Sequence, residues 1–273
     1  ATITPAANGT ITVDVTADKA VDAATNNNTA ATQLSVTNNE TKPTITITSD
    51  ASNPQSGVFT ATFTFSEDVT GFVIGDITVG NGAASNLQTT SASVYTATIT
   101  PVADGETTVD IAADIAVDAA ENNNQAATQL SVTNDETKPA VTIKSDASNP
   151  QSGAFTASFT FSEAVTGFVI GDITVGNGAA SNFQTTSASV YTATITPVAD
   201  GETTVDIAAD KAADAAENNN KAATRLSVTN DETKPTVTIT SDASNPQSGV
   251  FTATFTFSED VIGFVIGDIT VGN

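Results

Sequence analysis

The sequence predicts an all-β fold of tandem antiparallel two-sheet sandwiches arranged in a line. Three observations lead there. The run Glu-Thr-Lys-Pro occurs at Glu40–Pro43, Glu136–Pro139 and Glu232–Pro235, a step of 96 residues. Copies 40–135 and 136–231 differ at 11 positions. Within a copy, short runs alternate apolar residues with Thr, turn-forming clusters separate them, and no helical period is sustained. The copy is far longer than a solenoid repeat of roughly 20–50 residues, so each copy is expected to carry its own core.

In the copy 40–135, Pro43–Ser49 alternates Ile and Thr, the period of a half-buried strand. Ser52–Gly57 (Ser-Asn-Pro-Gln-Ser-Gly) is a turn by composition. Val58–Ser66 is the clearest strand, with Phe59, Ala61, Phe63 and Phe65 on one face and Thr60, Thr62 and Thr64 on the other. A strand around Ile77–Val79 is closed by Gly80-Asn81-Gly82. Tyr95–Thr100 alternates again and stops at Pro101, and Ala103–Glu106 carries a hairpin signal. Thr107–Ala113 and Gln129–Thr133 read as further strands. The copy is expected to hold about seven short strands, the number an antiparallel sandwich of this size needs. Ala112–Ala120, rich in Ala and Asp, reads as a short helical turn in a loop between the sheets.

Composition narrows the function. Eight basic and 31 acidic residues give a net charge of −23, which argues against nucleic acid and anionic membranes as partners and favours cations or high solubility. The chain has no Cys, His, Met or Trp. Disulfides, thiolate metal sites and imidazole-dependent triads are thereby excluded. No apolar run is long enough to cross a membrane as a helix. Glu67 and Asp68 form a carboxylate pair of the kind glycosidases use, but the equivalent of Asp68 in the next copy is Ala164. The Thr rows are the ordinary outer face of a strand. The chain is read as non-enzymatic.

The candidate ligand-binding groups are hard oxygens near the copy boundaries. Asp118, Asn122 and Asn124 lie in the loop before the last strand, with Asp214, Asn218 and Asn220 as their equivalents. Asp135 and Glu136, and again Asp231 and Glu232, open the linkers. Calcium takes roughly 6–8 oxygen ligands from carboxylates, amides and backbone, and an Asp/Asn loop beside a linker carboxylate offers them. A divalent cation there would turn carboxylate repulsion into a clamp. The competing reading is a set of solvated polar loops. The first linker, Asn38-Asn39-Glu40, lacks one of the carboxylates.

The pattern Thr64–Phe72 (TFSEDVTGF), Asp76–Gly82 (DITVGNG), Tyr95–Pro101 (YTATITP), then an Asp-Ala-Ala-Glu-Asn loop and the Asp-Glu-Thr-Lys-Pro linker, resembles bacterial immunoglobulin-like (Big) repeats over the whole chain. The resemblance implies tandem immunoglobulin-like sandwiches, an extracellular place on a bacterial cell surface, a stalk role in an adhesin, and interdomain calcium that stiffens the joints. The repeats divide as 1–39 (the last part of a repeat), 40–135 and 136–231 (complete), and 232–273 (the first part of a repeat). Together the end pieces lack the stretch equivalent to 82–96. Two arrangements remain open: a window from a longer stalk, whose partners are neighbouring repeats of the same chain, or a filament subunit whose half-repeats complete one another between identical chains.

Overall fold

The computed structural model describes residues 1–272. Its residues gather into two compact units, Ala1–Pro139 with Ala212–Asn220, and Ala140–Lys211 with Lys221–Asn273. The loop 212–220, part of the second complete repeat in sequence, therefore belongs to the same unit as the first.

In the first unit, the complete repeat forms strands β3 (Ile45–Ser49), β4 (Phe59–Phe65), β5 (Ile77–Gly80), β6 (Gly82–Ser91), β7 (Val94–Pro101), β8 (Gly105–Ile111) and β9 (Leu130–Asn134). One antiparallel sheet runs β3-β4-β7-β6 and the other β5-β8-β9. Registers such as Ile47↔Phe63 and Phe63↔Tyr95 place the apolar positions of neighbouring strands on one face. In the second sheet, Ile77↔Ile111 and Val79↔Val109 do the same. The two inner faces meet in one core that includes Phe59, Phe63, Phe65, Phe72, Tyr95, Ile99, Val109 and Ile111. Phe72 contacts the rings of Phe63, Phe65 and Tyr95 with centroids 5.1–5.5 Å apart, in the tilted and edge-on geometry aromatic pairs prefer. The Tyr95 hydroxyl donates to the Val69 and Ala92 carbonyls, so the one polar atom of the aromatic cluster is satisfied.

The strand expected around Ile77–Val79 is β5, and it ends at Gly80 as expected. Gly80-Asn81-Gly82 then hands the chain from one sheet to the other, because β6 starts at Gly82 itself. Asn81 sits at φ 53°, and a Cβ on Gly82 would stand 2.9 Å from the Thr100 carbonyl oxygen, so the crossing needs a bare backbone. One sequence expectation is corrected, at 112–120. That segment contains turns and isolated bridges, Thr70↔Val117↔Asn123, and no helical turn. Helix occurs in the described residues only as 3₁₀ turns, one of them at Ile74–Asp76.

The exit from the repeat is tied down. Gln55 makes a parallel bridge to Asn134, its N–H donating to the Thr133 carbonyl (2.9 Å) and its carbonyl accepting from Asp135 N–H (2.9 Å). Buried Asn134 donates to the Ala103 carbonyl at 3.0 Å and accepts from Gly57 N–H at 3.3 Å. Pro43 and Pro139 are buried, whereas Lys42 and Lys138 are exposed. The preceding end piece adds a two-stranded ribbon, β1 (Gly9–Val13) with β2 (Leu34–Asn38).

The second unit repeats the design with β10 (Val141–Ser145), β11 (Phe155–Phe161), β12 (Ile173–Gly176), β13 (Gly178–Ser187), β14 (Val190–Pro197), β15 (Gly201–Ile207) and β16 (Leu226–Asn230). The orders are β10-β11-β14-β13 and β12-β15-β16. Leu87 of the first repeat is replaced by Phe183, which stacks on Tyr191 at 5.7 Å with planes 16° apart. The final piece contributes β17 (Val237–Ser241) and β18 (Ala253–Phe257), with Phe255 and Phe257 against Phe264. Two strands cannot close a core, so Ile239 and Phe251 are more than half exposed.

Candidate metal centre at the repeat ends

The loop that carries the predicted ligands is organised by its own Asx side chains. Asp118 Oδ1 accepts from Ala120 N–H (2.9 Å) and Asn122 N–H (2.8 Å), which folds 118–122 into a tight turn. Glu121 takes the positive φ of that turn, 66°. Asp214 repeats the arrangement with Ala216 N–H at 2.8 Å and Asn218 N–H at 2.9 Å, and Asp22 in the first end piece with Ala24 and Asn26 N–H, both at 2.9 Å. Asp118 and Asp214 are buried, which is unusual for carboxylates and explains the number of donors around each. The Asn122 side-chain amide, with the turn N–H groups, holds the Asp118 carboxyl below its ordinary value, while burial opposes this.

Asn124 has a different role from the one its place in the sequence suggests. It is fully buried, and its Oδ1 accepts from Ile115 and Ala116 N–H, both at 2.9 Å. Its Nδ2 donates to the Ala112 and Gln125 carbonyls at 2.9 and 2.8 Å. All four hydrogen-bonding positions are filled from within the loop, so Asn124 is a structural amide. Asn220, also buried, accepts from Ala212 N–H at 2.8 Å.

The linker residues reach these loops from the preceding repeat. Asn122 Nδ2 donates both to Asp118 Oδ2 (2.9 Å) and to the Asn39 carbonyl (2.9 Å). Asn39 Nδ2 donates to Asp118 Oδ2 at 3.0 Å. Within the same unit, Asn218 Nδ2 donates to the Asp135 carbonyl (2.7 Å) and to Asp214 Oδ2 (3.0 Å), and Asn218 Oδ1 accepts from Ser56 Oγ (2.7 Å). Carboxylate oxygens of Asp135 and Asp214 lie within 4.8 Å of one another. Of the predicted ligands, then, Asp135, Asp214 and Asn218 come together, as do Asp118 and Asn122.

Glu136 is exposed, and its backbone N–H donates to Asp104 Oδ1 at 2.7 Å. Thr137 Oγ1 donates to the other Asp104 oxygen. The Thr137 hydroxyl and the Glu136 N–H hold the Asp104 carboxyl below its ordinary value. In the second unit, Glu232 N–H and Thr233 Oγ1 donate to Asp200 in the same way, and Asp231 Oδ1 accepts from Thr233 N–H at 3.1 Å. The position equivalent to Asp214 in that last copy falls after residue 273. Sequence reading missed Asn39, Ser56, Asp104 and Asp200. The signal available for the last two was their place in the Asp-Gly turn, one period apart; for Asn39 it was its position one period before Asp135.

These sandwiches and end loops define an immunoglobulin-like array, and comparison with known proteins agrees. The bacterial Ig-like domain family matches residues 39–133, 135–229 and 231–273, and the chain belongs to that family. No curated protein matches the chain. Among solved structures, the Escherichia coli adhesin FdeC is similar at 17% identity and a TM-score of 0.37, covering 79% of this chain and 72% of that one. The Yersinia pseudotuberculosis protein InvD is similar at 17% identity and 0.33, covering 76% and 66%. The adhesin InvE of the same organism is similar at 16% identity and 0.25, covering 68% and 58%. The chain spans less than two thirds of the InvD and InvE chains.

Proposed function

We propose that the chain is a non-enzymatic structural segment of an extracellular bacterial surface protein, an adhesin stalk that holds a binding region away from the cell. The observation that carries this reading is the near-identity of the complete repeats, 11 differences in 96 positions, which adds length without new chemistry. The tied-down exit strand supports it, because a linker bonded to its own repeat transmits direction from one copy to the next. The partners are neighbouring repeats of the same chain. Calcium is the proposed cofactor, held where Asp135 and Asp214 approach each other.

The role is tested by displaying an epitope on cells beyond one, two or three copies of residues 40–135. Antibody access through the surface polymer layer should rise with each copy added; access independent of copy number would refute the stalk. The calcium reading is tested by melting the chain with calcium chloride and with EDTA. A calcium-dependent rise in melting temperature is expected, lost in Asp214→Asn, and equal melting in both conditions would refute it.

A further inference from the structure

We infer that the residue opening each linker sets how the joint closes: Asn39 locks its joint by a side-chain hydrogen bond to the loop aspartate that Asp135, its equivalent one repeat later, cannot make. The contrast rests on one substitution at equivalent positions. Asn39 and Asp135 are 96 residues apart and both half-buried. Each accepts, through its side-chain oxygen, an N–H two residues on, from Thr41 and Thr137, both at 3.0 Å. Each offers its carbonyl to the side-chain amide of the docked loop, Asn122 at 2.9 Å and Asn218 at 2.7 Å.

They differ at the remaining side-chain atom. Asn39 Nδ2 is a donor, and it meets Asp118 Oδ2 at 3.0 Å in a charge-assisted hydrogen bond. That oxygen thereby receives two donors, from Asn39 and Asn122. In Asp135 the same position is a second carboxylate oxygen, an acceptor only. A carboxylate oxygen of Asp135 lies within 4.8 Å of one of Asp214, so like charges stand where the first joint has a bond. Asn39 is thus a positioning residue that does at the first joint what the proposed cation does at the second. The absent carboxylate of the first linker is compensated within the chain itself. The cation half of this contrast rests on the calcium reading above; the Asn39 lock does not.

The full chain tests it by hydrogen–deuterium exchange of the peptides covering 37–45 and 133–141, with EDTA or with calcium chloride. In EDTA, Asn39→Asp, which keeps size and shape, should speed exchange of the first peptide about ten-fold, the effect of losing one charge-assisted bond. Asp135→Asn should slow the second peptide there. An unchanged first peptide in Asn39→Asp, or an unchanged second peptide in Asp135→Asn, overturns the inference. If calcium leaves 133–141 unaltered while both substitutions act as stated, the calcium reading fails and the Asn39 lock stands.

Discussion

Asx residues do most of the work in the end loops, and each does it through a countable set of bonds. Asn124 is the clearest case, with four partners and no exposure. Replacing it with Ala removes the buried side-chain partner of two N–H groups and two carbonyls. Asn124→Ala should therefore destabilise the first repeat by about 3 kcal/mol, read as a lower urea midpoint with an unchanged m-value. The sequence could not separate Asn124 from Asn122, because both are asparagines in one Asn-rich run. Which amide turns inward is set by the bridges at Val117 and Asn123, which fix the facing of the loop. Asn39 was obscured for a related reason. A residue class chosen for cation ligation favours carboxylates, and an amide that donates to one falls outside it.

At the scale of elements, alternation made most strands legible. β4 and β7 carry unbroken alternation and form within one or two residues of the expected bounds. β6 gave no such signal. Its residues are mostly small or polar, it lies at a sheet edge, and register shifts at Ser85/Gln88 and Thr89/Ser91 break the period. The Ala-rich run 112–120 favoured helix by propensity, but Asp118 and Asn124 capture the backbone N–H groups a helix would need. Packing, by contrast, follows the alternation directly. Phe63 is fully buried at the centre of β4, and Phe63→Ala should cost about 3–5 kcal/mol in unfolding free energy. The same substitution at Phe159, fully buried in β11, should cost a similar amount. Denaturant titration of the two variants checks both.

Across the whole molecule, the net charge of −23 acts against compactness. Raising sodium chloride from about 10 to 300 mM should raise the melting temperature, since the screening length falls from about 30 Å to well under 10 Å. Acid has two opposed effects. Lowering pH from 7 to about 5 reduces self-repulsion and should stabilise the chain. Asp104, Asp118 and Asp200 then reverse the trend. Their folded-state values are depressed, so the stability they add is present above the ordinary carboxylate value of 3.8 and is lost as pH falls through the folded values. Melting temperature against pH should therefore pass through a maximum near pH 5, then fall steeply below about pH 4. A profile that falls monotonically from pH 7 would show that repulsion is not a significant term.

The linkers have one more consequence, for survival among digestive enzymes. Lys42, Lys138 and Lys234 are exposed, and each is followed directly by Pro. Serine proteases of trypsin-like specificity seek exposed Lys and Arg, but the proline ring on the leaving side blocks cleavage of that bond. The exposed lysines of the linkers are thus placed where such enzymes cannot cut. Limited trypsin digestion of the folded chain should leave all three Lys-Pro bonds intact. Replacing Pro139 with Ala should open a new cut after Lys138.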